Sequence, residues 1–214
     1  MAPSLPDPDP VPTAGAPGIP GAFSGARIYA QLKPDGAGLA ELLRLQAAAR
    51  DRAPGTRRVS GGRLHLTLIH FGKADDAFGR LTVATGVETG AYDRALARYL
   101  RATAAALPED DFVLEPRGLA GFGRDGSTLA VEFASTSTLD AVHRTLYGVL
   151  LDFLAACGVP DPAGYAAGDP ALAFAARLHP HVSLLHGFHG FSGPPPVLDL
   201  RPVRLRPTPV LYRS

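Results

Sequence analysis

A chain of 214 residues can bury a substantial core, and it reads as one folded unit. Its 21 Lys and Arg against 20 Asp and Glu leave a formal charge of +1, which excludes a strong overall field drawing in nucleic acid or anionic membrane, so any polyanion site has to be local. The single cysteine, Cys157, excludes an intrachain disulfide and fits a reducing compartment; at the end of an apolar helical stretch it reads as an inert buried thiol.

Residues 1–22 hold Pro3, Pro6, Pro8, Pro10, Pro12, Pro17 and Pro20 and almost no large apolar side chain. Such a segment cannot bury enough surface to offset its ordering entropy, so a disordered or polyproline-like tail is expected, with the folded domain spanning residues 23–214. The tail has neither the basic start nor the apolar core of a signal peptide, and no later stretch reaches the roughly 18 apolar residues of a membrane helix. A cytoplasmic protein without membrane contact is expected.

Residues 26–32 read as a first strand, and Pro34-Asp35-Gly36 as a turn into a helix over about 39–50. An arginine- and glycine-rich loop covers 52–62, followed by a strand carrying His65. The long segment after Lys73 is most clearly helical over 92–107, where Leu96, Leu100 and Thr103 hold one face while Arg94, Arg98 and Arg101 lie elsewhere, and Pro108 closes it. Two β-rich runs, 112–122 and 127–134, flank Gly123-Arg124-Asp125-Gly126, a hairpin signal. Ser137 or Thr138 is expected to cap a helix to about Ala156 with Leu139, Val142, Leu146, Val149, Leu150 and Phe153 as its stripe. The Pro/Gly-rich stretch 158–170 reads as a lid or a tolerated insertion, and strands follow at His181, 197–205 and 210–212. This order of elements points to an α+β fold, not a doubly wound parallel sheet.

Two segments copy each other: His65-Leu66-Thr67-Leu68-Ile69-His70-Phe71-Gly72 and His181-Val182-Ser183-Leu184-Leu185-His186-Gly187-Phe188. Side chains two apart on a strand share a face, so His65 with Thr67, and His181 with Ser183, project together. Two such strands side by side present two imidazoles and two hydroxyls, equipment for acid/base chemistry at a phosphate. His70 and His186 lie an odd number of positions further on, so regular alternation turns them to the opposite face as hydrogen-bonded structural residues, unless a bulge intervenes. His179 and His189 read as surface or loop residues.

With Pro180 before the second copy and Phe71-Gly72 after the first, these motifs resemble those of the two-histidine phosphoesterase superfamily, which includes 2′-5′ RNA ligase-like proteins and RNA 2′,3′-cyclic phosphodiesterases. The resemblance implies a bilobal fold: two pseudo-symmetric lobes of antiparallel sheet, helices on the outer faces, and a central cleft. It further implies metal-independent, cofactor-free hydrolysis of 2′,3′-cyclic phosphate ends of RNA or nucleotides to 2′-phosphomonoesters, with reversible 2′-5′ RNA ligation in some members. By that resemblance His65 is the proton donor to the departing 3′ oxygen and His181 the base that activates water, while Thr67 and Ser183 hold the non-bridging oxygens. The residues alone leave the acid and base roles interchangeable. RNA ends or cyclic nucleotides are the expected partners of a monomeric enzyme. Many relatives carry an arginine shortly after the second motif; here that region reads Leu184-Leu185-His186-Gly187, and His186, Arg58, Arg63 or Arg177 are the candidate substitutes.

Three rival readings fit the residues less well. A zinc site at His179, His181, His186 and His189 has no cysteine or carboxylate within the cluster, and alternation separates His181 from His186. A histidine-triad hydrolase alternates His-x-His-x-His, whereas His179-Pro180-His181-Val182-Ser183 ends in serine and leaves the His65 copy unexplained. A noncatalytic RNA-end or nucleotide-binding module would keep the cleft without turnover. Of the arginines at 57, 58, 63, 201, 204 and 206, one or two could grip a phosphodiester, and Phe71, Phe188 or Tyr212 could stack a base or serve the core.

Overall fold

Alternating burial along the first strand decides which face of the sheet is covered. The structure, a computed structural model, describes residues 21–213, with the side chains of Arg124, Val210, Tyr212 and Arg213 outside the description. The tail expected over 1–22 therefore lies outside the described residues except for Gly21 and Ala22, which enter a turn where the Ala22 amide donates to Asp93 Oδ2 at 3.2 Å.

Strand β1 (Ala26–Pro34) buries Ala26, Ile28, Ala30 and Leu32 on one face. It lies between β3 (Leu66–Lys73) and β8 (Val203–Arg213), antiparallel to both. With β2 (Arg57–Arg58), β4 (Phe112–Leu114), β5 (Pro116–Phe122), β6 (Thr128–Phe133) and β7 (His181–His186) they make one eight-stranded antiparallel sheet in the order β4-β8-β1-β3-β7-β6-β5, with β2 paired to β7. The expected α+β architecture is thus present as two halves of a single sheet. The halves meet at β3 and β7, which share only one register pair, Leu66 with Val182.

Helix α1 (Gly36–Asp51) begins at Asp35, whose Oδ1 accepts from the Gly38 amide at 2.7 Å, and packs against β1, β7 and β8. A Cβ at Gly38 would strike the Arg204 carbonyl, so glycine there lets the helix approach β8. Helices α2 (Ala74–Thr85) and α3 (Thr89–Ala106) divide the long segment after Lys73 that reads as most clearly helical over 92–107; Gly86, at φ +72°, ends α2 with its amide on the Thr82 carbonyl at 2.8 Å. Helix α4 (Ser137–Ala156) is capped one residue earlier than expected, by Thr136, whose Oγ1 accepts from Leu139 N at 3.1 Å. Phe153 of α4 meets Phe71, Tyr92 and Tyr99 at ring separations of 5.2, 5.9 and 5.5 Å, an aromatic centre for the core.

Four further expectations change. The run 112–122 is two strands with different partners, because Pro116 starts a new one: β4 pairs with β8 at one edge of the sheet and β5 with β6 at the other. The loop 52–62 contains β2, held by backbone pairing to β7. The two C-terminal strands are one, β8, which runs through Pro207 and Pro209, while 197–202 is irregular. The stretch 158–170 is neither open lid nor loose insertion. It folds into α5 (Pro162–Gly168) against α4, and the buried Asp169 that follows accepts from Arg80 Nε at 2.7 Å.

Candidate active site

The seam between the two half-sheets brings the repeated motifs together. Leu66 and Val182, the middle residues of the two motifs, pair across it and are fully buried. In an antiparallel pair the residue before one partner stands opposite the residue after the other. Thr67 therefore faces His181, His65 faces Ser183, and the two imidazoles lie on a diagonal of one face. All four side chains are half-buried, in contrast to the sealed residues between them.

Each motif histidine is fixed in the same way. His65 Nδ1 donates to the Arg63 carbonyl at 2.8 Å and His181 Nδ1 donates to the His179 carbonyl at 2.7 Å. A carbonyl only accepts, so the proton sits on Nδ1 of the neutral ring and Nε2 is the nitrogen not engaged by that bond. Burial pushes the pKa of both rings below the usual histidine value; for His65 the charges of Lys33, His181 and His70 push the same way, and for His181 that of His179 does, against Glu132. His65 and His181 are thus close enough for a proton on one to disfavour a proton on the other.

Strand alternation fails at two matched places. The β1–β3 register pairs Gln31 with Thr67 but Ala30 with Ile69, leaving Leu68 as an extra residue; the β6–β7 register pairs Ala130 with Ser183 but Leu129 with Leu185, leaving Leu184 extra. The bulges fall at the same offset in each motif. They return His70, opposite Tyr29, and His186, opposite Thr128, to the face of His65 and His181, which corrects the expectation that these two turn away. His70 Nδ1 lies 3.5 Å from the Ala171 carbonyl, and His186 Nδ1 lies 3.4 Å from Thr128 Oγ1. The adjacent buried pairs Leu68-Ile69 and Leu184-Leu185 are the available sequence signal, since a regular strand with one polar face would not bury both members.

Sequence reasoning passes over two aromatic residues at the site. Tyr29 stands between His65 and His70, its ring 6.0 and 5.0 Å from theirs. Phe122 stacks on His181 with ring centroids 4.1 Å apart and planes 10° from parallel. Nothing in their local sequence separates them from core aromatics, because both contacts are made between strands.

His179 and His189 are exposed, as expected, and the His179 carbonyl is what anchors His181. Arg57 and Arg58 lie on β2 beside β7, where Arg57 is opposite His186 and Arg58 opposite Leu185. The C-terminal arginines are engaged elsewhere: Arg201 with Asp199, Arg204 with Asp35 and Arg206 with Asp111. Phe71 belongs to the core, and Phe188 packs edge-on to Phe191 at 5.0 Å. Burial pushes the Cys157 thiol up to about 11, as an unreactive core cysteine requires. Among the described residues no three His, Cys, Asp or Glu side chains converge as a metal-ligand set, and no helix is long and apolar enough to cross a membrane.

The family model of the 2′-5′ RNA ligase superfamily matches residues 34–187, a span that includes both motif copies. No curated protein matches the chain. Similar solved structures include TT0787 of Thermus thermophilus, with 17% identity over 87% of this chain and 82% of that one and a TM-score of 0.47. Escherichia coli LigT in apo form gives 17% identity over 87% and 95% of the two chains and a TM-score of 0.49; LigT complexed with 3′-AMP gives 16%, 87%, 96% and 0.48. With both His-x-Thr/Ser segments inside the matched span, this chain belongs to the 2′-5′ RNA ligase superfamily, the two-histidine phosphoesterases.

Proposed function

We propose that the protein hydrolyses 2′,3′-cyclic phosphate ends of RNA or nucleotides to 2′-phosphomonoesters, using His65, His181, Thr67 and Ser183 and no metal. The observation that carries this reading is the Leu66–Val182 register, which sets the two imidazoles diagonally across one polar face with their Nδ1 atoms anchored. In-line displacement at phosphorus needs a base behind the attacking water and an acid behind the leaving oxygen. His181 Nε2 takes a proton from water as its oxygen bonds to phosphorus. The bond to the 3′ oxygen breaks, and protonated His65 delivers its Nε2 proton to that oxygen, leaving a 3′-hydroxyl and a 2′-phosphate. Thr67 and Ser183 donate hydrogen bonds to the non-bridging oxygens as charge builds on them. With a 5′-hydroxyl in place of water, the same groups would form a 2′-5′ linkage: His181 takes the hydroxyl proton, the 5′ oxygen bonds to phosphorus, and the departing 3′ oxygen takes the proton of His65.

The test is an assay on 2′,3′-cyclic nucleotides and cyclic-phosphate oligoribonucleotides, with and without a chelator. Turnover to the 2′-phosphate is expected in both conditions. His65→Ala and His181→Ala should each lower it by about 10²–10⁴-fold, and Thr67→Val or Ser183→Ala by about 10²-fold. Near-normal turnover in either folded histidine variant would sink the mechanism, and binding without turnover in the unaltered protein would favour a noncatalytic module.

A further inference from the structure

The bulge in β7 sets a row of polar side chains across three strands, beyond the reacting quartet. Arg57 on β2 and Thr128 on β6 are the two cross-strand neighbours of His186, so all three project on the face that carries His181 and Ser183. His186 Nδ1 is turned to Thr128 Oγ1 at 3.4 Å, which leaves Nε2 for an external partner. Arg57 and His186 are both exposed, and among the described residues neither forms an ion pair, whereas Arg201, Arg204 and Arg206 each have a carboxylate. The arrangement is not an accident of a loose edge. The bulged Leu184 is buried, and its carbonyl accepts both the Gln46 side chain at 2.8 Å and the Val59 amide at 2.9 Å.

We infer that Arg57, His186 and Thr128 form a second anion-binding subsite that holds the phosphate one nucleotide away from the reacting one, so that the preferred substrate is an oligoribonucleotide end and not a cyclic mononucleotide. This rests on the phosphoesterase reading of the quartet above. From Ser183 to His186 the strand advances by two regular steps plus the bulged residue, roughly 7 Å, the scale of one nucleotide along an extended strand. A guanidinium offers a planar pair of donors that suits a phosphodiester; beside it either His186 Nε2–H or the Thr128 hydroxyl donates when the ring is neutral, and both donate when it is protonated. Arg58, opposite Leu185, projects to the other face and takes no part.

The experiment compares 2′,3′-cyclic AMP with a ribodinucleotide ending in a 2′,3′-cyclic phosphate. In parallel it measures equilibrium binding of the two unreactive products, adenosine 2′-phosphate and the dinucleotide 2′-phosphate. The protein as it stands should prefer the dinucleotide by about 10- to 100-fold in kcat/KM, through KM, and in product affinity. Arg57→Ala and His186→Ala should bring that ratio close to one, His186→Arg should retain it, and raising salt should erode it. Both replaced side chains are exposed, so folding is not at stake. Equal affinity for the two products, or a preference that survives both alanine variants, would overturn the subsite. Absence of turnover on either substrate would instead count against the quartet, while the product-binding ratio still decides the subsite.

Discussion

Gln46 of α1 reaches across the sheet to donate its Nε2 to the carbonyl of Leu184, the bulged residue of β7, at 2.8 Å. The same amide nitrogen donates to the Val59 carbonyl at 2.8 Å. A fully buried side chain thus ties the helix to the strand that carries His181, Ser183 and His186 and to the segment that follows β2. Replacing it by leucine leaves the Val59 carbonyl buried without that donor. Gln46→Leu should lower stability by about 1–3 kcal/mol, seen as a lower urea midpoint at unchanged slope. A midpoint equal to that of the parent protein would remove Gln46 from the support of the site.

Phe122 reaches His181 from another strand, and their stacking at 4.1 Å holds the imidazole plane while adding to its burial. Phe122→Leu keeps an apolar side chain and loses the flat face. Turnover should fall through kcat, and the pH profile should move up toward the ordinary histidine range as the burial of His181 lessens. A loss of turnover with an unmoved pH profile would mean that Phe122 only packs.

The quartet is legible in sequence because a strand's period of two is short enough to survive inside a four-residue motif: His65 with Thr67 and His181 with Ser183 need no knowledge of the rest of the fold. His70 and His186 are misread by the same rule. Bulges at Leu68 and Leu184 add one residue each, and neither is announced by a glycine or proline within the bulge. Helix α2 escapes notice because its buried stripe is only Ala74, Ala77 and Leu81, and Val83 on it is 90% exposed. That β4 and β5 belong to opposite edges of the sheet is a matter of non-local pairing with β8 and β6, which spacing along the chain does not encode. For the same reason the stacking of Phe122 on His181 and the clamp of Gln46 on Leu184 emerge only from the folded arrangement.

His143 is a buried histidine on α4, and burial is the main cause of its lowered pKa, opposed by its bond to the Ala175 carbonyl and by Asp140. Its neutral form is the one the fold accepts. As pH falls through the ordinary histidine value of about 6.5, the unfolded chain takes up the proton first, so stability is complete above that value and declines below it. His65, His70 and His181 shift in the same direction and add to the slope. His143→Leu should flatten the fall in urea midpoint between neutral and mildly acidic pH. An unchanged slope would show that the ring is not held neutral.

In the proposed mechanism His65 and His181 set their own pH window: one imidazole has to be protonated and the other neutral, and because the two repel, the limbs of the profile belong to the pair. Both rings lie below the usual value through burial, so the optimum of kcat/KM is expected on the acid side of about 6.5. Lys33, whose Nζ donates to the Gly62 carbonyl at 2.8 Å, is one of the charges holding His65 down. Lys33→Gln should therefore move the pair's profile to higher pH; a profile indifferent to the change would separate Lys33 from the site. The roles themselves divide on the leaving group. A cyclic phosphate with sulfur at the 3′ position expels a thiolate that needs no proton, so it should restore much of the turnover lost in His65→Ala and little of that lost in His181→Ala. Rescue of His181→Ala instead would reverse the acid and the base.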